Sequence, residues 1–386
     1  MCGKHPDRRW ENRPVTDAPA SALPGTHPLT SGLTSGSPLV RALRGDRPES
    51  LPVWFMRQAG RSLPEYRELR VGTAMLDACL DPAMASEITL QPVRRHGVDA
   101  GIFFSDIVVP IKLAGVDVEI VPGRGPVLGA PIRRAADVDA LEPLDPASLA
   151  PISEAVARTV AELGSTPLIG FAGAPFTLAA YLVEGGPSKD HIRARTLMHA
   201  DPETWSRLLA WAADVSGAFL RAQVLAGASA AQLFDSWVGS LPRADYLASV
   251  APYSARALEH VADLGVPRIH FGVGSGEVLH DMTTLGGDSA VVDGVGVDWR
   301  IPLDEAVRRV GTDVTVQGNI DPAMLSAPWP VLEDHVRDVV RRGGSARAHV
   351  ANLGHGVPPE TDPTVITRVV ELVHSLGDGR TAGEPA

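Results

Sequence analysis

Short apolar runs rich in Val, Ile and Phe alternate along this chain with longer stretches in which apolar residues recur every three or four positions. Eight runs stand out, at residues 52–56, 101–105, 168–172, 230–234, 268–271, 291–295, 314–317 and 348–351. Runs too short for helices, separated by segments of helical period, are the signature of a parallel sheet whose crossovers are helices. Between the third and fourth runs, Trp205, Leu208, Leu209, Ala212, Val215 and Phe219 fall on one helical face. Asp-Pro pairs at Asp81-Pro82, Asp201-Pro202, Asp321-Pro322 and Asp362-Pro363 each offer a side-chain acceptor followed by a proline, which predicts helix starts there. Eight strand-helix units predict an α/β fold, a single (β/α)8 TIM-type barrel with its active site at the C-terminal ends of the strands. A doubly wound open sheet is the alternative. The number of runs and the lack of a G-x-G-x-x-G string after the first of them favour the barrel. The glycine-rich string from Gly272 to Gly276 reads either as a phosphate cradle or as a turn without a ligand.

The two ends break this pattern. The first 40 residues are dense in Pro, Gly, Ser and Thr without a period, so residues 1–38 are expected to be a disordered extension, 39–377 the barrel, and 378–386 a disordered tail. No apolar stretch near Met1 suggests an export signal, and no window has the uninterrupted apolar length of a membrane span. Of the 386 residues, 44% are hydrophobic and 21% charged, enough apolar material for a large core. Asp plus Glu number 46 against 35 Lys plus Arg, a net charge of -11, which argues against nonspecific nucleic-acid binding. A local arginine cluster can still dominate its own cleft and take a small anion. The two cysteines, Cys2 and Cys79, make neither a disulfide framework nor a thiolate zinc site, which fits a reducing cytoplasm.

In such a barrel the residues just after each run are the ones to inspect, and they are polar. Arg57, Gln58, Ala59, Gly60 and Arg61 follow the first run, Asp106 the second, Ser236 the fourth, and His355 between two glycines the eighth, while Tyr181 and Glu184 lie on the helix after the third. Arg57 and Arg61 are either two solvated charges or two rigid forks aimed at a ligand with several carboxylates. Asp106 is either a helix cap or a buried functional carboxylate. His355 is either a turn histidine or a site residue approached closely because of Gly354 and Gly356. Ser236, His355 and Asp106 could be assembled into a nucleophilic triad, but no G-x-S-x-G elbow supports one. No histidine spacing suggests a metal site.

With these residues assembled, the sequence resembles the uroporphyrinogen decarboxylase family over nearly the whole of residues 39–377. The resemblance is carried by Pro52-Val-Trp-Phe-Met-Arg-Gln-Ala-Gly-Arg61, Phe104-Ser-Asp106, Gly170-Phe-Ala-Gly-Ala-Pro-Phe-Thr177 with Tyr181 and Glu184-Gly-Gly186, and Phe234-Asp-Ser-Trp237. Gly296-Val-Asp-Trp299, Gln317-Gly-Asn-Ile-Asp-Pro322 and Asn352-Leu-Gly-His-Gly356 complete it in order. One departure is Ser62, where the family usually carries tyrosine, which bears on loop packing more than on chemistry.

The resemblance implies cofactor-free removal of the four acetate carboxyls of uroporphyrinogen III, giving coproporphyrinogen III and four carbon dioxide molecules in haem biosynthesis. It implies an anionic tetrapyrrole substrate, no metal, no membrane or nucleic-acid partner, and a homodimer. It implies that Asp106 accepts hydrogen bonds from the pyrrole N–H groups, that Arg57 and Arg61 grip carboxylates, and that Arg57 assists proton delivery. Gln58, Ala59 and Gly60 would contact the substrate, Tyr181, Ser236 and His355 would position Asp106 or the peripheral carboxylates, and Phe234 would pack near the macrocycle. The catalytic set implied is Asp106, Arg57 and Tyr181. Two other functions share parts of this pattern: a methyltransferase on the same barrel, which would be expected to carry a His/Cys zinc set, and a tetrapyrrole carrier without catalysis.

Overall fold

A computed structural model describes residues 22–378. Its centre is a seven-stranded, all-parallel sheet in the order β1 (Gly101–Ile102), β4 (Leu168–Gly173), β5 (Ala230–Asp235), β6 (Arg268–Gly272), β7 (Gly294–Gly296), β8 (Thr315–Gln317) and β9 (His349–Val350). Between β1 and β4 the chain adds an antiparallel hairpin, β2 (Val118–Val121) with β3 (Gly125–Leu128). Every residue of β4 is buried, as expected of a parallel strand covered on both faces. The sheet is curled. Gln232 on β5 and Gln317 on β8 are separated in the sheet by two strands, yet Gln317 Nε2 donates to Gln232 Oε1 at 3.1 Å. A flat sheet would hold those strands roughly 14 Å apart.

The helix starts read from the Asp-Pro pairs are present. Asp81 accepts from the Ala83 and Met84 N–H groups and Asp201 from Thr204, while Asp362 accepts from Thr364. Asp321 caps a short 3-10 turn, Pro322–Ser326, and the α-helix begins later at Trp329. Trp205, Leu208, Leu209, Ala212, Val215 and Phe219 are all buried on the helix Pro202–Leu225. That helix is long and apolar enough to cross a membrane, but its apolar face is already spent against the sheet and its neighbouring helices.

Two expectations need correction. The run at 52–56 is not a strand. Only Val53 pairs, in a single parallel bridge to Ala351, with Ala351 N–H donating to Pro52 O at 2.8 Å. Pro52 has no N–H to give, and on the other side the Val53 N–H is taken by the Asp99 carboxylate at 2.8 Å in place of a backbone carbonyl. The second run is likewise cut short, because Phe104 N–H donates to Thr89 Oγ1 at 2.9 Å.

The second correction concerns the expected extension, 1–38. Residues 1–21, like 379–386, lie outside the described residues, but 22–37 fold against the body. His27 Nε2 donates to Val224 O at 2.9 Å, Thr34 and Ser229 share a hydroxyl hydrogen bond of 2.8 Å, and Leu23 and Leu29 are buried. The helix Pro38–Leu43 then lies under the N-terminal ends of the strands, where Thr315 Oγ1 donates to Ala42 O at 2.6 Å. A composition rich in Pro, Gly, Ser and Thr describes tight turns as well as disorder, and here the few apolar residues anchor the turns.

Candidate active site

The C-terminal ends of the strands carry the polar loops picked out in the sequence. Arg57 sits in a tight turn with a left-handed backbone, φ 58°, unusual for a residue with a side chain. The turn is held by Gln58, whose buried carboxamide accepts from Phe55 N–H at 2.9 Å and donates to Ala100 O at 3.0 Å. Gln58 therefore spends its side chain on the turn. Met56 docks the turn onto the loop of His355, its N–H donating to Asn352 Oδ1 at 3.1 Å and its carbonyl accepting from Val357 N–H at 2.9 Å. Ala59 and Gly60 are half-buried beside it, and Arg57 and Arg61 are exposed. Among the described residues neither guanidinium has an ion pair or a side-chain hydrogen bond. Ser62 is buried, and the backbone runs on from Gly60 O through the Leu63 N–H into the helix Pro64–Leu69.

Asp106 is half-buried just beyond Phe103 and Phe104. Asp106 does not cap the helix Val109–Leu113, which starts from Val108; its Oδ1 accepts from Val108 N–H at 3.0 Å and closes the turn before that helix, and among the described residues no hydrogen bond occupies the other oxygen. Burial raises its pKa above the usual carboxylate value, against the opposing pull of the Val108 N–H and of the Arg57 charge. Tyr181, on the helix Pro175–Glu184, feels the same two groups. Burial and the Asp106 charge push its phenol up to about 12, with Arg57 opposing. Arg57, Asp106 and Tyr181 thus lie within electrostatic reach of one another, the first two from loops and the third from a helix.

The ring of Tyr181 lies on Trp237, centroids 3.9 Å apart, and Trp237 in turn meets the buried His191 at 4.2 Å. Ser236 is half-buried beside Trp237. Phe234, also half-buried, meets Phe171 and Phe271 edge to face at 5.4 and 5.8 Å, so β4, β5 and β6 together supply an apolar floor of three rings. His355 is held neutral: burial lowers its pKa to about 4, helped by the charges of Arg57 and Arg300 and offset by Asp298. No hydrogen bond joins Ser236, His355 and Asp106 among the described residues, so the triad is not assembled.

The glycines around His355 are approached closely by the protein itself. A Cβ on Gly354 would overlap the Trp299 backbone, and one on Gly356 would overlap the Arg57 side chain. Gly274 belongs to a packed turn, its N–H donating to Asp298 Oδ2 at 2.6 Å. Of its two readings, the one without a phosphate fits. Cys79 is buried and its thiol pKa is raised by burial and by Asp106. Among the described residues no three His, Cys, Asp or Glu side chains gather as metal ligands would. A cavity of about 610 Å³ opens at the opposite end of the sheet, lined by Asp99, Ser165 and Thr166 among others, with no cationic side chain in its wall for an anion.

Three neighbours of these residues were not singled out as candidate site residues, although Thr177 and Trp299 stand in the quoted motifs. Thr177 donates to the buried Asp235 at 2.8 Å and accepts from Trp237 N–H at 3.4 Å, tying the helix of Tyr181 to the loop of Ser236. Trp299 and Arg300 follow β7, and inspection of the residues after every run, the sixth included, would have reached them.

Residues 34–376 match the family described as uroporphyrinogen decarboxylase (URO-D). Uroporphyrinogen decarboxylase of Leifsonia xyli subsp. xyli is 66% identical over 375 residues, 92% of this chain and 98% of that protein. The Arthrobacter sp. protein of the same name is 68% identical over 345 residues, 89% of this chain and 99% of its own. A solved methyltransferase from Methanosarcina mazei superposes with a TM-score of 0.72 over 89% of this chain and 99% of its own, at 19% identity, which speaks to the fold alone. By the extent of the family match and the level of identity, this chain belongs to the uroporphyrinogen decarboxylase family.

Proposed function

We propose that the chain removes the four acetate carboxyls of uroporphyrinogen III to give coproporphyrinogen III and carbon dioxide in haem biosynthesis, without a cofactor. The observation that carries the reading is that Arg57, Asp106 and Tyr181 lie within electrostatic reach of one another at the end of a sheet whose strands also carry the packed rings of Phe171, Phe234 and Phe271. Loss of carbon dioxide leaves an electron pair on a methylene carbon. Protonation of the adjoining electron-rich pyrrole at carbon supplies a cationic ring that accepts that pair. A proton then adds to the methylene carbon to make the methyl group, and the ring proton leaves. Each acetate consumes one proton net and releases one carbon dioxide.

Asp106 suits the inward-facing pyrrole N–H groups, since an ionised oxygen accepts them and balances the ring's transient charge in a half-buried place where charge is felt strongly. Arg57 and Arg61 suit carboxylates, each charge-assisted bond contributing ~1.5 to 3 kcal/mol. Tyr181 stays protonated and can donate. Gln58, Ala59 and Gly60 contribute through the backbone of the turn, and Ser236 and neutral His355 through hydrogen bonds at the rim. Phe234 contributes apolar contact with the macrocycle. The reading extends to a closed eight-unit barrel in which Val53 takes the eighth position, supported by its bonds to Ala351 on one side and Asp99 on the other. It extends also to a cytoplasmic homodimer without nucleic-acid or membrane partners. The net charge of -11 and the buried face of Pro202–Leu225 support the last two points.

The test incubates the protein anaerobically with chemically reduced uroporphyrin and separates oxidised products by carboxyl number. Seven- to four-carboxyl species are expected above a protein-free control, with or without a strong chelator. Binding without such products would favour the carrier. Loss on chelation restored by zinc would favour a metalloenzyme. Sedimentation equilibrium decides the dimer.

A further inference from the structure

Arg300 lies beside the mouth, yet neither its composition nor its motif marked it. Its guanidinium stacks on the ring of Trp299, 4.0 Å from the centroid, and Trp299 meets His355 edge-on at 6.3 Å. Below the stack, Asp298 is buried and fully engaged: Oδ2 accepts from Gly274 N–H at 2.6 Å and from Arg300 Nη1, and Oδ1 accepts from Arg300 N–H at 3.1 Å. Of the guanidinium, only Nη1 is spent. Nε and Nη2 make no hydrogen bond among the described residues, and half of the side chain is exposed.

Two surface arginines elsewhere on the chain close their forks on carboxylates. Arg95 takes both oxygens of Glu65 at 2.7 Å, and Arg256 takes both of Asp214 at 2.7 and 2.6 Å. Arg300 is instead held flat by an aromatic plane and anchored at one edge, with its other edge open. Fixing the plane beforehand lowers the ordering entropy a flexible cation would lose on binding, and a planar edge with two N–H groups matches one carboxylate. The Trp299 that carries it packs against Gly354 and His355, while Arg57 packs against Gly356, so Arg300 and Arg57 flank the same short loop.

We propose that Arg300, on its Trp299 platform, binds one peripheral carboxylate of the tetrapyrrole and acts as a specificity-determining residue in addition to Arg57 and Arg61. This rests on the reading of the mouth as the decarboxylase site. Arg300 takes no part in proton transfer; its contact is present in bound substrate and transition state alike, so it acts on KM and leaves kcat near its original value.

The experiment compares Arg300→Gln, Arg300→Lys and Trp299→Leu with the parent chain, measuring kcat, KM and melting temperature on uroporphyrinogen, and repeats KM at raised salt. For Arg300→Gln, KM is expected to rise about tenfold with kcat within about threefold. Lys, keeping the charge without the fork, is expected to recover part of the loss. Trp299→Leu, which removes the platform and leaves the cation, is expected to raise KM less. The parent's KM should be the more salt-sensitive. If KM stays within about twofold for both Arg300 variants, the proposal is overturned, whether or not the melting temperature falls with Asp298 left short of a partner. Arg57→Lys and Asp106→Asn run alongside. Loss of turnover in those two with unchanged KM in the Arg300 variants defeats this proposal alone, whereas unchanged turnover in those two defeats the reading of the mouth itself.

Discussion

The two ends of the curled sheet are built to opposite rules. At the N-terminal end polar groups are closed on one another: Asp99 accepts from Val53 N–H and from His374 Nε2, Thr315 from β8 donates to Ala42 O, and Thr34 meets Ser229. At the C-terminal end, among the described residues, Arg57 and Arg61 make no ion pair or side-chain hydrogen bond, Arg300 has one open edge, and one oxygen of Asp106 accepts no hydrogen bond. The same strands run through both, so sequence composition cannot explain the contrast. Satisfied polar groups stabilise the fold, and unsatisfied ones hold back their interactions for a ligand, at a standing cost in stability.

If that contrast is right, substitutions at the mouth change rate and those at the base change stability. The largest effect is expected for Asp106→Asn, which keeps the size and the Val108 acceptor but removes the charge. Turnover should fall ~100-fold or more, ~2.7 kcal/mol, with little change in melting temperature. A variant that melts lower but turns over normally would reduce Asp106 to a turn residue. Arg57→Lys should lower kcat/KM about tenfold or more, ~1.4 kcal/mol, because an ammonium lacks the two-pronged fork and among the described residues Arg57 has no ion pair to disturb. Asp99→Ala is the converse at the base: it strands the Val53 N–H, should cost ~1–3 kcal/mol in urea melts, and should leave kcat of the folded fraction unchanged.

Acid and base should separate the ends further. His96 and His349 are buried neutral, with pKa values lowered by burial to about 4, below their unfolded values. They bind protons more readily unfolded, so stability should fall as pH drops from about 6.5 toward 4, by about 1.4 kcal/mol per pH unit for each. His374 works in the other direction: its hydrogen bond to Asp99 raises its pKa, so its contribution is full below about 6.5 and is lost as pH rises through the raised value. Urea titrations of the parent and of His374→Gln from pH 5 to 9 read this smallest effect, and curves that stay parallel across that range would remove the Asp99–His374 pair from the pH dependence.

Much of this was legible in the chain. The Asp-Pro caps, the apolar face of Pro202–Leu225 and the position of the polar loops follow from local chemistry, which a one-dimensional pattern records. What was not legible depends on who the neighbour is. Val53 fails to extend into a strand because a side chain, Asp99, takes the bond that a backbone would have made. Gly354 and Gly356 are small for Trp299 and Arg57, residues far away in sequence. Residues 22–37 pack because Val224, Ser229 and Asp263 receive them. The hairpin Val118–Val121 with Gly125–Leu128 did leave a signal in Pro122 and Gly123, a turn between two short β-prone segments.

The docking of Met56 onto Asn352, 296 residues later, also has a meaning in time. A ribosome adding ~5–20 residues per second takes roughly 15–60 s to travel between the two. Throughout that interval the turn bearing Arg57 exists without the loop that braces it, and the nascent chain has no assembled mouth. Any product cut short before Val357 lacks the N–H that closes on Met56 O, however well its earlier strands have folded. The turn bearing Arg57 is thereby braced only after the chain has been made beyond Val357.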